Sequence, residues 1–191
     1  MVAATAIIMA FPTAYRASPD PSNRLFTTDK NCTSWQHRRT WQHAGYATFC
    51  MNNAYQRRLV HRHCKHRPQK TIHYSDIGSL LILHEAGGWY VDSDVAPTAL
   101  SKKLRSYPDT TFGLESDFSV QKGMQMGMLP KSLVLWTIYG VKGDVRLKDM
   151  ACTLAHMAAE PQPNFESIQT YVHRTSGPTA QMRLWKGTVL P

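Results

Sequence analysis

Asp92 and Asp94 are separated by one small residue, Ser93, and follow the run Gly87-Gly88-Trp89-Tyr90-Val91. In an extended segment side chains alternate faces with a period of two, so the two carboxylates project to the same side. Oxygen donors that converge in this way suit a hard divalent cation, Mn²⁺ or Mg²⁺, which keeps coordination positions for water and substrate phosphates. Asp-x-Asp is also an ordinary turn sequence, so the triplet alone is a weak signal and its setting has to carry the argument.

That setting is a bracketed helix followed by a strand. Ser75 is placed to cap a helix, Asp76 sits in its expected first turn against the helix dipole, and Gly87 is a natural stop. Ile77, Leu80, Leu81, Ile82 and Leu83 make the helix apolar nearly all round, which calls for burial between a sheet and other elements. Gly78 costs about 1 kcal/mol against Ala inside a helix, so a close packing neighbour is expected there. Trp89-Tyr90-Val91 has the aromatic and β-branched character of a short buried strand. The Asp pair then lies at the carboxyl end of that strand, where open α/β sheets bind ligands.

The segment from Ser75 to Val95 resembles the sugar-nucleotide-binding segment of glycosyltransferase family 32, a group that includes initiating α-1,6-mannosyltransferases, inositolphosphoceramide mannosyltransferases and α-1,4-glycosyltransferases. The shared pattern is Ser-Asp (Ser75-Asp76), an apolar helix, Gly-Gly (Gly87-Gly88), an aromatic residue and Asp-x-Asp (Asp92, Asp94). An Arg three residues after the first Asp belongs to the pattern, and Ser79 stands there instead. Weaker echoes follow in Gly113-Leu114-Glu115, Gln125-Met126-Gly127-Met128 and Ser176-Gly177-Pro178.

The resemblance implies a single GT-A type, Rossmann-like α/β domain over residues 1–191, with a mostly parallel central sheet and a motif core at 71–97. It implies metal-dependent, retaining transfer of a hexose from a GDP- or UDP-sugar to a hydroxyl of a glycan or glycolipid. Asp94 would be the direct ligand of Mn²⁺ or Mg²⁺, with Asp92 binding through water or contacting the ribose. Asp76, Gly87, Gly88, Tyr90 and Asp92 would form the donor site. Glu115 and Asp117 are candidates to face the acceptor, and His173 is the best placed candidate for a late metal ligand. No nucleophile is identified. The alternative is an inactive sugar-nucleotide-binding or scaffold relative, since a Ser hydroxyl cannot imitate the bidentate fork of an Arg.

The 191 residues are 42% hydrophobic, with five Trp, eight Tyr and six Phe, which is enough for a real core. A formal charge of +9 calls for an anionic partner, a nucleotide diphosphate, a nucleic acid or an anionic membrane surface, although a solvated basic face is the commoner outcome. Aromatic residues do not interleave the basic runs as a stacking platform requires, so nucleic acid is not expected. Met1 to Phe11 has a short apolar run without a basic flank and falls far below the ~20 apolar residues of a membrane span. By resemblance the setting is the Golgi or another secretory lumen, with any anchor missing from this chain, and Asn31-Cys32-Thr33 fits the N-glycosylation pattern.

Cys32, Cys50, Cys64 and Cys152 match no zinc-ribbon spacing and permit two disulfides or free buried thiols. His61, His63, Cys64 and His66 invite a zinc site, but on a surface helix residues two apart point away from each other.

The remaining elements alternate, implying a mostly parallel sheet. Strands are expected at 4–11, 45–50, 110–114 and 125–129, and helical segments at 31–43, 52–63, 131–141 and 147–159. Residues 12–29, rich in Pro, Ser and Asn, read as a loop, and 160–164 as the one linker.

Overall fold

The computed structural model describes residues 24–28, 42, 46–93, 95, 107–115, 132–185 and 187–190. In chain order the elements are β1 (Arg24–Thr28), β2 (Ala47–Met51), α1 (Asn53–His63), α2 (Thr71–Ala86), β3 (Gly88–Val91) and β4 (Thr111–Glu115). They continue with β5 (Ser132–Gly140), α3 (Val145–Met157), α4 (Ile168–Thr175), α5 (Pro178–Leu184) and β6 (Thr188–Leu190). The strands form one mixed sheet in the order β2-β1-β3-β5-β4-β6. β1 runs parallel to β2 and β3, and β4 parallel to β6, whereas β5 is antiparallel to both β3 and β4.

The sheet is therefore less parallel than expected, and β5 is the reason. Residues 131–141 read as helical, yet Ser132–Gly140 is a nine-residue strand. An apolar run of this length fits a buried helix or a buried strand equally well by periodicity, and Val134, Thr137, Ile138 and Tyr139 favour the strand once β3 and β4 offer partners on both sides. β1 is the second correction, because it lies inside the stretch read as a loop. Its five residues are too short to show a period, and they are buried as a strand hydrogen-bonded on both edges. The expected strand at 4–11, the strand at 125–129, the Asn31 glycosylation pattern and, apart from residue 42, which is helical, the segment at 31–43 lie outside the described residues. The segment 160–164 connects α3 to α4, and Tyr171 of α4 donates to the Glu160 carbonyl at 2.5 Å.

α2 is the central helix, with ten buried residues in its sixteen, Ile77 and Leu80 through Leu83 among them. It starts at Thr71 behind Lys70, with no side-chain cap, so Ser75 does not cap it and Asp76 falls in the second turn. Thr71-Ile72-His73-Tyr74 has neither a capping side chain before it nor an acidic residue within it, so Ser75-Asp76 is the first start signal in the sequence and the expected boundary falls five residues late. A Cβ on Gly78 would stand 3.0 Å from the Gln56 Cβ, so α1 is the close neighbour the glycine admits. Gly87 ends the helix at φ 67°, its N–H donating to the Leu83 carbonyl at 2.8 Å, and a side chain there would meet the Lys142 backbone at 2.9 Å. Buried Arg24 donates to the Ala86 carbonyl at 2.6 Å, which satisfies one of the carbonyls a helix end leaves open.

α1 and α3 start on side-chain caps, with Asn52 Oδ1 accepting from Tyr55 N at 2.9 Å and Asp144 Oδ1 from Arg146 N at 3.0 Å. α2 and α3 pack together across the core with Phe112, Ile138 and Leu147. Gly140 of β5 faces α2 so closely that a Cβ would lie 2.5 Å from the Leu83 Cβ. Gly140→Ala is therefore expected to cost about 1–3 kcal/mol, read as a lowered denaturant midpoint at constant slope.

Cys64, just beyond α1, is bonded to Cys152 of α3. Cys50 is disulfide-bonded as well, and no described cysteine is free. The zinc reading of His61, His63, Cys64 and His66 fails with this, since the oxidised Cys64 offers no thiolate, and His63 instead lies 2.5 Å from Glu85 Oε1. No described helix is long and apolar enough to cross a membrane.

Candidate functional site

The strand order β2-β1-β3 creates a switch in winding direction. From β1 the chain steps to β2 on one side and later reaches β3 on the other, and all three run parallel. Ligands of open α/β sheets bind outside the carboxyl ends of the strands at such a point. Thr27 pairs with Val91, so Thr28 and Asp92 leave the sheet side by side there.

Tyr90 ties them together. Residues two apart in a strand share a face, and the Tyr90 hydroxyl donates to Asp92 Oδ1 at 2.7 Å. Thr28 Oγ1 lies 3.1 Å from the same hydroxyl and, since that proton is committed to Asp92, acts as donor to it. Burial, reinforced by the Asp92 charge, holds the Tyr90 hydroxyl well above its ordinary pKa, so it remains a proton donor at neutral pH.

Asp76 enters from α2. Ser176 Oγ donates to Asp76 Oδ2 at 2.7 Å, and His73 Nδ1 lies 2.8 Å from Ser176 Oγ. With the single hydroxyl proton of Ser176 given to the carboxylate, His73 must carry its proton on Nδ1. Its Nε2 is then buried without a hydrogen-bond partner. Burial and the Lys70 charge lower His73 to about 4, so the imidazole is neutral at pH 7. Burial raises Asp76 to about 7, opposed by the Ser176 hydrogen bond and assisted by the negative charge of Asp92. Two acidic groups thus repel one another within a poorly solvated corner of the sheet.

Ser176 reaches this position because α4 ends where α5 begins. Ser176 N and Gly177 N both donate to the Val172 carbonyl, at 3.0 and 2.8 Å, and Pro178 opens α5. A Cβ on Gly177 would lie 3.1 Å from the His173 Cα, so only glycine fits this junction without a shift.

The other expected site residues are placed as follows. Gly87 and Gly88 lie at the opposite end of β3 from Asp92, about 13 Å along the strand, where they make the helix-to-strand turn. Glu115 is the last residue of β4, in register with Ser132. His173 stands one turn before Ser176 on α4. Asp94 and Asp117 lie outside the described residues. Ser79 is buried and donates to the Asp76 carbonyl at 2.7 Å, so its hydroxyl serves the helix backbone and not a ligand.

Thr28 and His73 were missed. Thr28 sits in a segment without strand periodicity, and nothing in the sequence links His73 to Ser176, 103 residues away. The one available signal was the spacing of His73 and Asp76, three residues apart on a helix and hence on neighbouring turns.

The donor chemistry fits a divalent cation. Asp76 and Asp92 are hard oxygen donors whose mutual repulsion a cation would relieve, and Asp94 follows two residues after Asp92. Arg146 is a poor alternative anion site, because Asp109 and Asp144 both engage its guanidinium beside a cleft of about 280 Å³ between α3 and α5. No protein-family model matches the chain, and no curated protein matches it.

Proposed function

We propose that this protein is a divalent-metal-dependent glycosyltransferase of GT-A type, moving a hexose from a nucleotide diphosphate sugar to a hydroxyl of a glycan or glycolipid. The observation that carries the reading is the location of Asp92, at the carboxyl end of β3 beside the β1/β3 switch point, hydrogen-bonded to Tyr90 and electrostatically coupled to Asp76. Mn²⁺ or Mg²⁺ held by Asp92 and Asp94 would neutralise charge developing on the departing diphosphate. Tyr90 orients the Asp92 carboxylate, and the His73-Ser176 pair orients Asp76 toward the donor sugar. A secretory, Golgi-like setting accords with the oxidised Cys64–Cys152 pair.

Ser79 favours a second reading. Its hydroxyl is occupied by the Asp76 carbonyl, so the donor fork of an Arg is missing from this position, as in a relative that binds nucleotide sugars without transferring them.

Purified protein with Mn²⁺ is expected to transfer or hydrolyse at least one UDP- or GDP-hexose, and Asp92→Asn to reduce turnover by about 100-fold or more with its unfolding transition intact. Activity that survives EDTA would refute the metal role. A thermal-shift panel of the same donors separates the readings, since binding to the folded state raises its apparent stability. A shift without turnover supports the inactive relative, and no shift with any donor removes both.

A further inference from the structure

The excess positive charge of this protein is confined to one segment. Residues 30–75 contain nine Lys and Arg and no Asp or Glu, which equals the whole net charge of +9, so the rest of the chain is neutral in sum. Among its described residues, those from 46 to 75 form β2, α1, the turn after it and the start of α2, and every Lys and Arg described there lies between Arg57 and Lys70. Leu59, Val60, Tyr55 and Gln56 face inward, whereas Arg57, Arg58 and Arg62 lie outward on α1, with Arg58 and Arg62 four apart in one stripe, and Lys65 is exposed in the turn just beyond the helix. Among the described residues a single carboxylate, Glu85, forms an ion pair with this stripe, through Arg62.

Exposed apolar side chains border the same surface. Ile72 is 52% exposed in the first turn of α2, beside Thr71, whose hydroxyl accepts from Arg57 at 3.0 Å. Phe165 is 94% exposed on the α3–α4 connection, which meets the start of α2 where Gln69 N donates to the Ala158 carbonyl at 3.0 Å and Lys70 bonds Gln162. Ile168, 47% exposed, follows on α4. Three of the four large apolar side chains exposed among the described residues thus lie on segments that converge at the head of α2.

We propose that this face docks on an anionic lipid bilayer, the α1 cations on the headgroups and Ile72 and Phe165 at the acyl boundary. Cations alone would suit any polyanion. The combination with protruding aliphatic and aromatic tips selects a bilayer, because a nucleic acid offers no apolar layer for them and the stripe has no exposed aromatic platform for bases. Ile72 and Asp76 are one helical turn apart, about 6 Å along α2, so docking turns the Asp76 end of the helix toward the membrane interface. The inference stands on charge and exposure and is independent of the transferase reading. Where both hold, the acceptor is lipid-linked.

The test is co-flotation of the full chain with phosphatidylcholine vesicles with and without roughly 30% phosphatidylserine, at low and high salt. Binding is expected only to the anionic vesicles and to fall with salt. Arg58→Ala with Lys65→Ala should weaken it about 25-fold, about fivefold for each cation. Phe165→Ser, at a position too exposed to affect folding, should weaken it about tenfold or more. No flotation with anionic vesicles overturns the proposal, as does binding that Phe165→Ser leaves unchanged and that heparin or duplex DNA displaces, the mark of a general polyanion site.

Discussion

Replacing Cys64 and Cys152 together by Ala is expected to remove about 4–5 kcal/mol of stability, a third or more of what a domain of this size holds. The bond closes a loop of 88 residues, and the chain-entropy account makes the gain grow with the logarithm of that length. It also joins the end of α1 to α3, on either side of the central α2, so the fold's helical layer is tied across its middle. Cys64 is 4% exposed, so part of the loss comes from packing, and Ala is preferred to Ser because it leaves no unpaired hydroxyl. The double variant is preferable to a reductant, which would also open the bond at Cys50. Denaturant titrations of the two proteins give the difference directly, and a loss below about 1 kcal/mol would mean that the unfolded chain is already constrained in this region.

Where local signals and tertiary context agree, the fold was readable. The helix expected over 52–63 forms as α1, Gly87 stops α2, and Trp89-Tyr90-Val91 forms a strand that ends just before Asp92, each from a mechanism acting within a few residues. The failures share a different cause. β1 and β5 owe their conformation to partners elsewhere in the sheet, and without those partners a five-residue RLFTT reads as loop and an apolar nine-residue run reads as helix. Both antiparallel pairings of the sheet involve β5, so reading that segment as a helix is what makes a mixed sheet look mostly parallel.

The candidate site divides along the same line. Asp76, Tyr90 and Asp92 were visible because they lie within one seventeen-residue stretch whose spacing fixes their faces. The tautomer of His73 and the orientation of Asp76 depend on Ser176, and Tyr90 leans on Thr28, 62 residues earlier. Such contacts carry no local period.

Asp76→Asn is expected to stabilise the metal-free protein at about pH 8 while abolishing donor binding. In the native fold Asp76 titrates near 7 against an ordinary value of 3.8, so between those values the folded state holds a proton that the unfolded chain has lost. Stability from this group therefore falls as pH rises toward 7, by a few kcal/mol in all. His73 works in the opposite sense. Lowered from 6.5 to about 4, it is neutral in the fold and charged in the unfolded chain over that window, so its contribution rises with pH. Between about pH 4 and 6.5 the two slopes cancel, and the pair gives a nearly flat profile with a decline from 6.5 to about 8. Asn accepts the Ser176 hydrogen bond through its carbonyl without bearing a charge, so it removes the decline and uncovers the His73 slope. The variant should be flat above pH 6.5 and lose stability steadily below it. Chemical denaturation in EDTA across this range reads both limbs. A variant less stable than the parent at pH 8 would show that Asp76 is held ionised in the fold by a compensating positive charge, and that burial is not what sets its proton affinity. The loss of donor binding separates this from a purely structural role, because a carboxylate that only tied α2 to α4 through Ser176 would leave the donor thermal shift unchanged.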